Sequence, residues 1–201
     1  MKKTVIFGGT FNPIHYAHLD IIQNVLMMPS TEKVLVIPTA TPPHKISDNL
    51  ACDADRLQMC RVALQGIKNV IVSDVELLRG GRSYTYDTLR HLKTIYPHEK
   101  FALVCGGDMI VSFKEWYKYK EILKMTEIIA VRRVGVDDVQ FDDAVRDLIN
   151  EGAVINVLKN HVTGISSTEI RENIENDEYL LKYLPKCVLE YIRDNDLYGD
   201  R

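Results

Sequence analysis

The sequence predicts an α/β fold: a doubly wound parallel sheet with a C-terminal helical segment. Three observations predict it. Short apolar runs alternate with stretches of helical spacing, the runs show no strict in-out alternation, and glycine or proline closes three of the six. Both sheet faces are then covered by helices, and ligands bind beyond the carboxyl ends of the strands.

Lys3 to Phe7 reads as a buried strand closed by Gly8-Gly9. Ala17 to Met28 places Leu19, Ile22, Val25 and Leu26 at helical spacing. Lys33 to Ile37 is the second strand, ended by Pro38, and a proline-rich loop runs on through Lys45. A helix over about Ala54 to Gln65 puts Leu57, Cys60 and Leu64 on one face, and Val70 to Ser73 makes a third strand. A helix over Thr85 to Ile95 stops before Pro97. Phe101 to Cys105 is the fourth strand, with a helical stretch after Gly106-Gly107. Glu127 to Val131, a helix over Phe141 to Ile149, and Val154 to Val157 follow. From Ser166 on the chain reads as helices, with Pro185 in a first turn.

Length and charge narrow the classes. With 201 residues the expectation is one domain over 1–201, its helical C-terminal subregion spanning 166–201. The 25 Lys and Arg against 28 Asp and Glu, formally -3, lack the basic footprint of a nucleic-acid binder. The apolar runs are too short to span a membrane. The apolar start dies at Gly8-Gly9 and Asn12-Pro13, so no secretory segment is expected. Four cysteines without a C-x-x-C pair suit reduced thiols in a cytoplasmic protein, with Cys60 and Cys105 as small core residues. Self-association is left open.

Two segments carry the chemistry. The first strand empties into Gly8-Gly9-Thr10-Phe11-Asn12-Pro13-Ile14-His15-Tyr16-Ala17-His18. Glycines admit a ligand close to the backbone, and Asn12-Pro13 turns the chain. His15 and His18 then share one face of a first helical turn, beside N–H groups suited to an anion. Zinc is the competing use of two histidines, although no further His or Cys stands at ligand spacing nearby. A capped turn with two surface histidines is the plainer alternative. The second segment is Ile165-Ser166-Ser167-Thr168-Glu169-Ile170-Arg171. Ser166 and Glu169 fit a capping box, which leaves the Ser167 and Thr168 hydroxyls facing outward and Arg171 one turn along. A capping box is often only structural; the added hydroxyls and arginine point to a polyphosphate.

Together, GGTFNPIHYAH and ISSTEIR resemble the nucleotidylyltransferase superfamily, marked by a (T/H)xGH histidine pair and an ISSTxxR segment. Further matches resemble its nicotinate mononucleotide adenylyltransferase branch. They are the segment from Pro38 to Lys45, Gly81 to Leu89, Gly106-Gly107-Asp108, and Trp116-Tyr117. The resemblance covers essentially the whole chain in order. Two positions depart from it: Ala17 stands for the usual glycine between the histidines, and Gly107 for the commoner alanine. Both keep the residue small, so altered affinity without lost activity is expected.

The resemblance implies transfer of the adenylyl group of ATP to nicotinate mononucleotide, giving deamido-NAD and pyrophosphate, a step of NAD biosynthesis. It implies His15, His18 and Arg171 as catalytic residues on the triphosphate. It places ATP against Gly8, Gly9, Thr10, Phe11, Gly106, Asp108, Ile165, Ser166, Ser167 and Thr168, with Mg2+ accompanying the ATP. Asp108 as a ribose ligand, direct or through magnesium, stands level with Asp108 as a simple helix N-cap. The mononucleotide falls to His44, Lys45, Tyr84, Thr85, Trp116, Tyr117 and Arg133, with Arg132-Arg133 adding positive potential. Trp116 is the stacking platform in this reading and a core residue without it; Lys45 also reads as a solvated loop charge. Thr85 and Tyr117 offer backbone N–H groups to the pyridine carboxylate. Partners are thus two small nucleotides, with neither nucleic acid nor membrane. Rival readings are an adenylyltransferase for nicotinamide mononucleotide or phosphopantetheine, and a non-catalytic nucleotide sensor.

Overall fold

A strand apolar on both faces must be covered twice, and the strands of this chain alternate between two cores. The computed structural model describes residues 2–40, 50–132, 137–158 and 164–199. Its strands are Lys3–Gly9 (β1), Thr31–Pro38 (β2), Val70–Val72 (β3), Phe101–Gly106 (β4), Thr126–Val131 (β5) and Ile155–Leu158 (β6). They form one six-stranded sheet in the order β3-β2-β1-β4-β5-β6, every pair parallel. Val5, Phe7, Val34, Val36, Ala102, Val104, Ile129 and Val131 join one hydrophobic cluster. Ile6, Leu35, Ile37, Phe101, Leu103, Cys105, Ile128 and Ala130 join the other. This is why the strands lack a polar face.

Helices Tyr16–Leu26 (α1) and Asp53–Leu64 (α2) contribute Ile21, Ile22, Val25, Met59, Cys60 and Leu64 to the first cluster. Val75–Arg79 (α3), absent from the sequence reading, precedes Thr85–Ile95 (α4), whose Leu89 and Leu92 enter the second. The helical stretch after Gly106 resolves into Gly107–Val111 (α5), a 3-10 turn at Phe113–Glu115, and Tyr119–Met125 (α6). Helix Asp138–Asn150 (α7) starts three residues before its expected apolar face, because Asp137 accepts from the Gln140 N–H at 2.9 Å and caps it. The tail forms Ser167–Glu172 (α8), Asp177–Leu180 (α9) and Lys186–Asp194 (α10). Pro185 is the cap residue of α10, one position ahead of the expected first turn. Among the described residues, no helix is long and apolar enough to cross a membrane.

The strand order reverses between β1 and β4. There the pairing stops early: β1 and β4 are in register from Thr4↔Phe101 to Ile6↔Leu103. By contrast, β1–β2 continues to Gly9↔Pro38 and β4–β5 to Gly106↔Val131. The two central strands therefore part at their carboxyl ends, with Gly8-Gly9 on one lip of the crevice and Gly106 on the other.

Candidate active site

The loop leaving β1 is built around an inward aromatic ring. Phe11 is 2% exposed and adopts a left-handed φ of 48°. Its ring meets Phe7 edge-on at 5.4 Å and His18 at 5.0 Å. A Cβ on Gly9 would lie only 3.1 Å from the Phe11 ring, so any larger residue there would require the ring to give way. The turn after it, with a cis Asn12-Pro13 peptide, delivers the chain to α1.

His15 is the residue before α1 and His18 lies in its first turn. Both are buried, and their rings stack at 3.7 Å. The backbone N–H of His15 donates to Nδ1 of His18 at 3.3 Å. An Nδ1 that accepts is unprotonated, so a neutral His18 carries its proton on Nε2 and presents that atom as a donor. A pair of surface histidines on a capped turn is therefore excluded. The sequence predicts that the N–H groups of this helix start are free for an anion; that of Tyr16 is not, because it donates to the Tyr183 carbonyl at 2.8 Å.

The ISST segment docks onto this loop. The capping box is formed, with the Glu169 N–H donating to Ser166 Oγ at 3.2 Å and the Ser166 N–H to Glu169 Oε2 at 3.0 Å. Ser166 therefore spends its side chain on the cap. Ser167 does not face outward: its hydroxyl donates to the Pro13 carbonyl at 3.0 Å. Thr168 remains exposed and accepts from Arg171 at 3.4 Å. Arg171 Nη1 donates to the carbonyls of Asn12 at 2.8 Å and Ser167 at 3.0 Å. Ile165 packs, half-buried, against the first cluster. The two candidate anion segments thus share one edge of the crevice.

Across the crevice, Gly106 ends β4 and stands as the cap residue of α5 without a side-chain cap bond. Asp108 lies inside the first turn of α5 and is exposed, so it is not the N-cap. Beyond it, the half-buried Trp116 stacks on Phe113 with ring centres 4.8 Å apart, so one indole face is occupied. The rings of Tyr84 and Tyr117 lie 5.0 Å apart, joining the start of α4 to the turn before α6. Thr85 is the first residue of α4, and neither its N–H nor that of Tyr117 is bonded to another described residue. Lys118 caps this turn, its ammonium 4.4 Å from the Tyr86 ring centre and 5.1 Å from that of Tyr117.

His44, Lys45 and Arg133 lie outside the described residues. Arg132 is not a source of positive potential for a ligand. It pairs with Asp138 at 2.8 Å and with Asp142, and its guanidinium covers Phe141.

Two residues play a supporting role that the sequence does not reveal. Arg56 is fully buried on α2. It donates to the carbonyls of Thr10 at 2.7 Å, Ala51 at 3.1 Å and Ala40 at 3.2 Å, and pairs with Asp53. A buried guanidinium needs such a full set of acceptors, and here the acceptors are three segments converging on the crevice. Asn12 is a second junction: its Oδ1 accepts from the Ala51 N–H at 3.0 Å and from the Tyr198 hydroxyl at 2.7 Å.

The cytidylyltransferase-like family matches residues 6–173. A "probable nicotinate-nucleotide adenylyltransferase" of Carboxydothermus hydrogenoformans is 38% identical over 197 residues, covering 98% of each chain. One of the same name from Listeria monocytogenes is 36% identical over 199 residues, covering 99% of this chain and 98% of the relative. This chain belongs to the nicotinate-nucleotide adenylyltransferase family. Among solved structures, the Plasmodium falciparum nicotinic acid mononucleotide adenylyltransferase complexed with NaAD superposes with a TM-score of 0.78. It is 20% identical and covers 98% of both chains, so it speaks for the fold. The same enzyme complexed with APC gives 0.77 at 19% identity. In open α/β sheets of this kind, ligands bind in the crevice at the strand reversal.

Proposed function

We propose that the protein transfers the adenylyl group of ATP to nicotinate mononucleotide, forming deamido-NAD and releasing pyrophosphate. The observation that carries the reading is the hydrogen bond from Arg171 to Asn12, which unites two phosphate-suited segments from opposite ends of the chain beside the β1/β4 crevice. The names of the relatives supply the substrates.

In the reaction, a phosphate oxygen of the mononucleotide attacks the α-phosphorus of ATP. The bond from that phosphorus to the bridging oxygen breaks, and pyrophosphate leaves with the electron pair. The nucleophile is already an anion, so alignment and charge stabilisation do the catalysis. His18, donating through Nε2, and Arg171 meet the charge growing on the leaving group; His15 holds His18 by its N–H and its stacked ring. Backbone at Gly8, Gly9, Thr10 and Phe11 lies against the nucleotide. Gly106 admits it to the opposite lip, where Asp108 meets the ribose. Ile165, Ser166, Ser167 and Thr168 are assigned to the outer phosphates: Ser167 through its N–H because its hydroxyl is engaged, and Ser166 by shaping the turn, since its N–H and hydroxyl both serve the cap. Tyr84, Thr85, Trp116 and Tyr117 hold the pyridine, and His44, Lys45 and Arg133 are assigned to the mononucleotide.

Among the described residues no group of three or more His, Cys, Asp or Glu could hold a metal. Asp108 offers an exposed carboxylate on the Gly106 side of the crevice. That donor set suits Mg2+ carried in by ATP, since the ion is commonly bound through one or two carboxylates plus substrate phosphates. It would neutralise phosphate charge.

The test is pyrophosphate release from ATP with nicotinate mononucleotide, nicotinamide mononucleotide and phosphopantetheine as separate acceptors. Release with the first supports the reading. Preference for another acceptor replaces the substrate, and nucleotide binding without turnover makes the protein a sensor.

A further inference from the structure

The tail after α10 bends back with two left-handed non-glycine residues, Asp196 at φ 47° and Tyr198 at φ 66°. Such conformations persist in a side-chain-bearing residue only where the surroundings enforce them. Here two contacts do so. The Leu197 N–H donates to the Ile192 carbonyl at 3.0 Å, and Leu197 and Tyr198 both pack on the first hydrophobic cluster. The bend carries the Tyr198 hydroxyl to Asn12 Oδ1 at 2.7 Å, a contact between residues 186 apart in sequence.

Asn12 is where the grip on the phosphate-side loop converges. Its carbonyl takes the Arg171 guanidinium, and its side-chain oxygen takes Ala51 and Tyr198. On the other side of Phe11, the Thr10 carbonyl takes Arg56. Burial pushes the Tyr198 phenol far above its ordinary value, while the nearby Arg171 and Arg56 charges pull the other way. It stays a protonated donor throughout the neutral range.

We propose that Tyr198 is a positioning residue for the adenylyl transfer: its hydroxyl holds Asn12 so that the Asn12 carbonyl stays aimed at Arg171 and the loop presents His15 and His18 in one geometry. The C-terminal tail is thereby part of the catalytic apparatus without touching substrate. The inference rests on the proposed activity for its kinetic consequence, and on the loop geometry alone for its structural one.

The test compares Tyr198→Phe with wild type and with Tyr191→Phe. The latter removes a neighbouring phenol hydroxyl that bonds Asp55 at 2.9 Å and does not reach the loop. Tyr198→Phe keeps the ring, so the fold survives. Its kcat is expected to fall by about three- to tenfold, the worth of one hydrogen bond, with KM for the mononucleotide unchanged. Amide exchange over residues 8–18 should speed up by a similar factor, and Tyr191→Phe should do neither. If the mononucleotide proves not to be a substrate, the exchange measurement still decides whether Tyr198 holds the loop. Wild-type exchange in Tyr198→Phe overturns the proposal, as does a fall in Tm with kcat untouched.

Discussion

Arg171 on α8 donates from Nη1 to the main-chain carbonyl of Asn12, 2.8 Å away in space and 159 positions away in sequence. One group thus braces the loop and, in the proposed reaction, faces the departing pyrophosphate. Lysine could replace the charge and donate from its single nitrogen, but it lacks the planar fork by which Nη1 serves Asn12 and Ser167 while Nη2 reaches Thr168. Arg171→Ala should lower kcat/KM for ATP by about a hundredfold or more, as removal of one charge-stabilising donor does elsewhere. Arg171→Lys should recover only a minor part. Steady-state pyrophosphate release checks both, and a lysine variant with wild-type constants would show that charge alone matters.

Gly9→Ala should destabilise the protein and slow it. The new methyl would sit 3.1, 3.2 and 3.3 Å from three atoms of the Phe11 ring. That ring is buried and in contact with Phe7 and His18, so giving way by a few tenths of an ångström disturbs its neighbours. Overpacking of this kind costs about 1–3 kcal/mol, and the ring can shift only by pushing on His18. Denaturant unfolding and kcat, measured on one preparation, should fall together. Unchanged stability would mean that the loop yields freely.

The acid limb of stability should depend on Glu99. Its carboxylate accepts from Lys33 at 2.7 Å and from Thr4, tying the strand starts of β1 and β2 to the residues before β4. Burial pulls its pKa up, but the two hydrogen bonds and the Lys33 charge outweigh this, and the net shift is below the ordinary value of 4.5. The folded state therefore holds the proton less tightly than the unfolded state. The contribution is present above the unfolded pKa and disappears as pH falls through the lower folded one. Glu99→Gln should be less stable than wild type at pH 7, and the gap should close on acidification below about pH 4.5. A gap that does not change with pH would assign the loss to packing.

What the sequence shows and hides follows the range of each interaction. The capping box at Ser166 was legible because both of its bonds close within three residues. The bounds of α4 were legible for a similar reason, its apolar face repeating at helical spacing. Arg56 was not. Its acceptors are mainly main-chain carbonyls, and every residue has one of those. Ser167 was placed facing outward because nothing local reveals the Pro13 carbonyl that receives its hydroxyl from 154 residues away. Short α3 went unread: five residues carry too little periodicity, and its inward residue is a carboxylate, Glu76, which accepts from Thr88. Tyr198 hides for both reasons, an ordinary tyrosine whose partner lies at the far end of the chain.

The choice between acid and amide follows from counting donors at the pyridine end. The Thr85 N–H opens α4, the Tyr117 N–H sits in a turn, and the Tyr84–Tyr117 ring contact brings their segments together. Neither N–H has an acceptor among the described residues. A carboxylate supplies two acceptor oxygens and a negative charge, which the start of a helix also favours. A carboxamide supplies one acceptor, and its NH2 then faces a donor. That mismatch costs about 1–3 kcal/mol for the unpaired group, and a charge-assisted bond is lost with it. A site built to satisfy hydrogen-bonding groups can reject an analogue lacking the partner by about 10⁴-fold. The kcat/KM for nicotinate mononucleotide should therefore exceed that for the nicotinamide form by at least about a hundredfold. Trp116→Ala should weaken both mononucleotides alike and preserve the ratio, because stacking reads the ring and not its substituent. Comparable kcat/KM for acid and amide in wild type would mean that the two N–H groups do not converge on the substituent.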